Sequence, residues 1–505
     1  MRLPYLQEIQ NHSKKYIVAF RGIQYGEGWQ EGELRESRNL SSGKYPCLGQ
    51  RAQRIQAGSY PGATAVHAKE GLLMIQGTDV LYKGQVVGSV TEGRKQIATV
   101  GNIICIFPDK VYYRTDTEVF GRMDAEYTAT GLKFTKNTIT TTGEDWPFRV
   151  GDAVEISGCS TAENNQTIIV RGVDGKVLTF YDESFTEATE SGSVTIKRNI
   201  PDLEYICESN YRLWGVAGNT IYGSKYSDPL NFQSFDGLTG DSYYIDVGTD
   251  GPFTGCIPYG SHICFFKENS VCKLYGSKPS NYQIVHSNVY GVQEGCERSM
   301  CIVNETLLYK GVHGVYAYTG GIPELISDCF GPRRYAEAAA ACDGEIYYIS
   351  MRTGDSWGLW AYDVLKGICL QEDNTHAVDL AAYDGYVWLL DDAGDLWQID
   401  RLGDVGDMEW TAEFCPFNET VNERKGYSKF HLRLDLAAGA WLAIDYKTEN
   451  DEAWKTAYTG QNEQAKTLSV PIIPTRCDSV SIRLRGKGEC TVRTFIREFF
   501  TGSDR

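Results

Sequence analysis

VWLLDDAGDLWQI, residues 387–399, is an apolar strand, a tight Asp/Gly turn and a second strand rich in aromatics. The same phrase recurs as LLMIQGTDVLY (72–82), IICIFPDKVYY (103–113), LWGVAGNTIY (213–222), ICFFKENSVCKLY (263–275), LLYKGVHGVYAY (307–318) and IYYISMRTGDSWGLWAY (346–362). Seven hairpins repeated along one chain predict radial repetition, and hence an all-β chain built on a β-propeller. The turns centre on Gly77, Asp109, Gly218, Asn269, Gly314, Gly354 and Gly394. From Gly218 onward they fall 51, 45, 40 and 40 residues apart, and a blade of four short strands needs about 40–50. About seven blades are expected, or six if the short first step of 32 residues marks a shared blade.

The step of 109 residues from Asp109 to Gly218 becomes an ordinary 41 once residues 131–198 are set aside as a 68-residue insertion. That segment alternates short β-branched strands with turn signals and reads as a small β-barrel or sandwich. In VDGKVLTFY (173–181), Asp174-Gly175 is expected to form a primed hairpin turn. After RLGDVGDM (401–408) the blade rhythm stops, and longer strands read as a C-terminal β-sandwich. Within it Val480, Ile482 and Leu484 share one face. The expected organisation is an N-terminal arm and first blades over 1–130, the inserted module over 131–198, the remaining blades over 199–404, and the sandwich over 405–505. KKYIVAFRGI (14–23) is a candidate outer strand for a late blade. Only LQEIQNHSKK (6–15) and PRRYAEAAAACDG (332–344) look helical, and the second overlaps the expected entry strand of blade 6.

No window of the 505 residues approaches the length of an apolar membrane span, and the N-terminus lacks the apolar core of a secretory signal. Fifteen cysteines, an odd number without a CxxC pair, read as free thiols of a reducing compartment. The net charge of −17 argues against tight sequence-independent nucleic-acid binding, which needs clustered Lys and Arg. It suits a surface past which DNA slides without sticking.

The motifs of common chemistry are missing: GxGxxG opening a helix, GxxxxGK[ST], HExxH and GxSxG. The histidines at 12, 67, 262, 286, 313, 376 and 431 are scattered, and His313 reads as a turn residue. Asp391–Asp395 (DDAGD) has the look of a calcium loop, but lacks the closing glutamate and reads as a turn. A propeller glycosidase needs two facing carboxylates. Asp246, Asp363 and Asp379 are candidates, but sialidase-type boxes are absent and Gly354–Gly358 (GDSWG) does not match them. No catalytic, cofactor-binding or metal-binding residue is nominated, and no cofactor is expected.

The phrase FRGIQYGEGWQEGELRESRNLSSGKYPCLGQR (20–51), with Asn39, Leu40, Ser41, Tyr45, Pro46, Leu48 and Arg51, resembles the opening of tailed-bacteriophage virion proteins. WGVAGNTIYGSKYSDPLNFQSF (214–235), FFKENSV, GVQEGC, YKGVHGVYAYTGG and LISD follow in the same order. Together they resemble the β-propeller tail nozzle or tail hub proteins of short-tailed phages. VGDAVEISG (150–158) is similar to small β-modules of phage tail proteins. The resemblance covers most of residues 16–404; the insertion and the appended sandwich depart from it.

It implies a structural virion protein, made in the bacterial host cytoplasm and carried in the virion tail. Copies would form a homo-oligomeric ring, a hexamer, through which genomic DNA leaves without specific binding. A portal-adaptor ring would dock on one face and tail fibre or spike proteins on the other, with no membrane span. Two alternatives stand beside it: a tail-tip or host-adhesion protein binding a receptor or glycan, and a carbohydrate-active propeller enzyme. Exposed aromatics at loop tips would favour adhesion, an acidic lumen the conduit, and paired carboxylates in a deep axial pocket the enzyme.

Overall fold

The computed structural model describes residues 12–181, 183–461, 466–473 and 475–501. The chain divides into a central unit, Pro61–Glu297, and a terminal unit built from Met1–Tyr60 with Arg298–Arg505. The fold is a β-propeller of seven four-stranded antiparallel blades among the described residues. Each quoted hairpin forms the second and third strands of one blade.

The central unit holds blades 1 to 4, beginning at Ala63–Ala68, Gln96–Val100, Tyr205–Ser209 and Gly255–Tyr259. Successive side chains of a strand point to opposite faces, and here both faces are covered. Ile104 and Ile106 pack with Leu73, Ile75 and Val80 of blade 1. Cys105 and Phe107, between and beside them, pack with Leu213 of blade 3. Trp214 and Val216 then turn to Ile263, Phe265 and Leu274 of blade 4. Burial on both faces is why these strands read as continuous apolar runs. Asp109 does more than turn its hairpin: it accepts the Thr91 N–H at 2.6 Å and pairs with buried Lys95 at 2.6 Å.

The insertion is an eight-stranded antiparallel sheet curled about one core that includes Phe134, Trp146, Phe180 and Ile196. It begins earlier than the expected residue 131. Ala125–Ala129 pairs with Val194–Arg198, so entry and exit strands form a stem. Buried Arg198 locks the stem, donating to Met123 O at 2.8 Å and pairing with Asp152 at 2.5 Å. The hairpin near Asp174 also differs: Asp174 pairs with Val177, so the loop residues are Gly175 and Lys176, and Gly175 carries the positive φ of 50°.

The terminal unit holds blades 5 to 7, beginning at Cys301–Val303, Ala336–Cys342 and Ala377–Tyr383. The outer strand of blade 7 comes from Ile55–Ser59, which pairs with Asp395–Ile399. KKYIVAFRGI does not supply it. His12–Ile17 instead pairs with Cys490–Thr501 in the C-terminal sandwich. Ile17 and Phe20 enter the sandwich core, whereas the outer strand of a blade needs no apolar face. Of the two helical-looking stretches, residues 6–11 lie outside the described residues, and residues 12–15 and Ala336–Cys342 are strand.

The sandwich is two five-stranded sheets. His12–Ile17 lies at the edge of one and Leu34–Arg38 at the edge of the other, so the domain is not residues 405–505 alone. The expected face of Val480, Ile482 and Leu484 is buried in its core.

All fifteen cysteines are free. Cys301 and Cys342, on the first strands of blades 5 and 6, are hydrogen-bonded neighbours. The Cys301 thiol holds the Cys342 thiol down at about 7, against the opposing effect of burial. Cys342 is therefore expected to be alkylated first by iodoacetamide at pH 7. Cys301→Ala leaves the upward push of burial and should raise the Cys342 thiol, slowing its labelling about tenfold, read by peptide mass spectrometry.

Candidate functional site

Each carboxylate singled out in the sequence has its own local partner. Asp246 sits on the outer strand of blade 3, where Thr220 Oγ1 donates to it at 2.5 Å. Asp363 ends the third strand of blade 6. Burial pushes its carboxyl up, but hydrogen bonds from Lys366 (2.8 Å) and Ser42 (2.6 Å) outweigh this and hold it below the usual range. Asp379, on the first strand of blade 7, lies 3.5 Å from Arg298.

DDAGD is a side-chain-capped turn. Asp391 accepts the N–H groups of Ala393 and Asp395 and, at 2.8 Å, the Trp397 indole N–H. In GDSWG, Gly354 and Asp355 form the hairpin loop, and Trp357 stacks on His376 at 3.7 Å. His313 lies in the two-residue loop between Gly311 and Gly314. His12 and His431 approach one carboxylate, Glu498, at 3.7 and 3.2 Å, a convergence not visible in sequence because it joins three strands. Among the described residues no group of three or more His, Cys, Asp or Glu is placed to hold a metal ion.

The residues of the N-terminal phrase form a fastener. Asn39 adopts φ of 57°, donates to Glu409 O at 2.8 Å and accepts from Arg51 Nε at 2.9 Å. Leu40 and Leu48 are buried in the sandwich core, and Leu48 bridges to Val492. Ser41 caps the short turn Ser42–Lys44. Arg51 and Arg54 converge on Glu372 and Asp373 at the end of blade 6, with Arg54 2.7 Å from Glu372 and 2.9 Å from Asp373.

Beside this fastener is a polar cleft of about 230 Å3 whose walls include Tyr25, Arg35, Glu36, Arg333 and Asp373. Its cations are largely engaged. Arg35 donates to the carbonyls of Gln24 and Gly26, and Arg333 lies 3.7 Å over the Tyr25 ring. Tyr25 donates to Gln371 at 2.7 Å, and Ser37 exchanges hydrogen bonds with the Gln371 backbone. Glu36 stands directly opposite Glu413 across the strand pair. Burial, then the Glu36 charge, pushes the Glu413 carboxyl up. The seam joins the N-terminal arm to blade 6.

A second cleft lies in the central unit, between the inserted module and the loop 224–242 of blade 3. It holds about 620 Å3 and is lined by residues including Gln166, Tyr181, Lys225, Gln233, Phe235 and Leu238. Tyr181, Phe235 and Leu238 are exposed large hydrophobics, as are Tyr211, Tyr226 and Tyr244 nearby on blade 3. Phe235 packs edge-on to Tyr244 at 5.5 Å, and Tyr211 to Tyr226 at 5.9 Å.

No family model and no curated protein matches the chain. Among solved structures it is similar to BamB from Moraxella catarrhalis, at 8% identity and a TM-score of 0.35, over 69% of this chain and 97% of that one. It is similar to BBS1N, solved in complex with ARL6DN, at 10% identity and a TM-score of 0.35, over 70% of this chain and 99% of that one. It is also similar to phage phi92 endosialidase, at 10% identity and a TM-score of 0.24, over 75% of this chain and 64% of that one.

Proposed function

We propose that this chain is a structural protein of a tailed-bacteriophage virion, a subunit of the tail nozzle or hub. Copies assemble into a closed ring around the genome exit, with an adaptor ring on one face and fibres or spikes on the other. The observation that carries this reading is what the resemblance-bearing residues do. Asn39, Leu40, Leu48 and Arg51 fasten the N-terminal arm, the sandwich and blade 6. The shared phrase is thus architectural, as expected of a wall block whose neighbours pull on it. A heterologous interface whose rotation closes gives such a ring. The net charge of −17 fits passage of DNA without adhesion.

A second reading, a tail-tip or adhesion protein, is favoured by one observation: the exposed aromatics Tyr181, Tyr211, Tyr226, Phe235 and Tyr244. The enzyme reading draws less support, because Asp246, Asp363 and Asp379 are each engaged locally.

Negative-stain imaging of the purified chain tests the ring. A sixfold or twelvefold annulus with an open axis is expected, and gold-labelled antibody should mark the tail of phage particles. A monodisperse monomer that never labels particles would overturn the proposal.

A further inference from the structure

We infer that the cleft between the inserted module and blade 3 binds carbohydrate, a pyranose-containing oligosaccharide whose apolar ring face packs on Phe235 and Tyr181. The inference rests on the second, adhesion reading and not on ring formation.

The first argument is preorganisation. The loop 224–242 is long, and long ordered loops are commonly functional. It is pinned from beneath by Arg212, which is 1% exposed. Arg212 donates to the carbonyls of Ser224 (2.6 Å), Asp241 (2.5 Å) and Thr239 (3.0 Å). Asp241, itself buried, accepts the Leu238 N–H at 2.8 Å. The same loop is tied to the module, Asn231 donating to Gly151 O at 3.0 Å and Asp228 lying 3.6 Å from Arg149. Phe235 is therefore held out toward solvent on a braced loop, 53% exposed, when an ordinary loop would fold it away. Tyr181, 62% exposed on the other wall, has Arg171 over its ring at 5.7 Å. Groups already fixed in place lose little freedom on binding.

The second argument is the chemistry of the lining. Between the aromatics stand amides, hydroxyls and one charge of each sign: Gln166, Thr167, Ser184, Gln233, Lys225 and Asp236. Gln233 Oε1 is buried and receives no hydrogen bond from the protein, which is costly for an acceptor unless a ligand or solvent donor reaches it. A nucleic acid would need clustered cations, and among the described residues the lining holds a single one, Lys225, with Arg171 engaged over the Tyr181 ring. A lipid tail would leave the amides unpaired. A neutral polyhydroxylated ring satisfies both halves: its C–H face covers the aromatics, its hydroxyls donate to Asp236 and accept from Lys225, and a turn of the Gln233 amide toward the cleft gives its buried Oε1 a donor. A volume of about 620 Å3 suits a small-molecule-sized segment of such a chain.

The test is binding of the full chain to a printed array of neutral, amino and acidic oligosaccharides, with hits titrated by calorimetry. Binding is expected for a subset of sugars. Phe235→Ala and Tyr181→Ala should each weaken it about tenfold, and Gln233→Leu should weaken it as well. Tyr16→Ala, an exposed aromatic on the sandwich edge, should leave it unchanged. No binding to any sugar, or a hit unaffected by the Tyr181→Ala/Phe235→Ala double variant, would overturn the inference. A chain that forms rings yet binds no sugar would sink this inference alone, and one that binds sugar without forming rings would sink only the nozzle.

Discussion

Glu419→Ala is expected to destabilise the C-terminal sandwich by about 3–5 kcal/mol, the usual cost of breaking a buried ion pair by removing one partner. Glu419 holds Arg497, whose side chain is 0% exposed, through two bonds of 2.7 and 3.0 Å. The guanidinium lies 3.7 Å over the Phe417 ring, and its other carboxylate is Glu31 of the N-terminal arm at 2.6 Å. Tyr427 donates to Glu419 at 3.1 Å, and burial followed by the Glu419 charge pushes its phenol well up. Removing the carboxylate leaves Arg497 desolvated with the half-exposed Glu31 alone, and the Tyr427 hydroxyl loses an acceptor. Replacing both partners, Glu419→Leu with Arg497→Met, removes the stranded charge and should recover most of the loss. Urea unfolding followed by tryptophan fluorescence reads both, since Trp410 is buried in the same core. A single variant within about 1 kcal/mol of wild type would mean the pair is solvated in solution.

The blades were legible in sequence because each hairpin carries its signal locally. IICIF and LWGVA meet neighbours on both faces, so apolar character is continuous, and Gly, Asn or Asp marks each turn. The insertion was legible through the blade spacing and its own strand-turn alternation, but its first strand was not. Ala125–Ala129 alternates half-buried and exposed residues, and only its pairing with Val194–Arg198 assigns it to the module. Ala336–Cys342 shows the opposite conflict. AEAAAAC favours helix by propensity, yet first strands of successive blades pack side by side and favour small side chains there. The N-terminal strands were hidden for a third reason. HSKKYI exposes five of its six residues and is held by a backbone ladder to residues nearly five hundred positions away. Of the carbohydrate cleft, part of one wall lay inside the quoted phrase 214–235, where Phe235 stands midway along the loop 224–242. The facing wall at Gln166–Ile169 and Tyr181 belongs to the insertion, and no local pattern announces that the two meet.

That hidden ladder gives the second large effect: a fragment of residues 405–505 should not fold by itself. The arm contributes Ile17, Phe20, Leu34, Leu40 and Leu48 to the sandwich core, each at most 4% exposed. Truncating one buried side chain of this kind costs about 2–5 kcal/mol. Losing five together is as large as, or larger than, the roughly 5–15 kcal/mol that holds a typical domain folded. The fragment also loses an edge strand from each sheet and the Glu31 partner of Arg497. Joining residues 12–50 to it through a flexible linker restores every one of these contacts and should restore a cooperative transition. Near-ultraviolet circular dichroism and limited proteolysis distinguish the two chains. A folded, protease-resistant 405–505 fragment would mean the arm merely rests on a finished domain. In a chain of residues 52–505, Ile55–Ser59 is kept, so blade 7 should retain its outer strand while the sandwich is digested. Selective loss of that kind would make the arm two separable fasteners, one for the sandwich and one for the propeller.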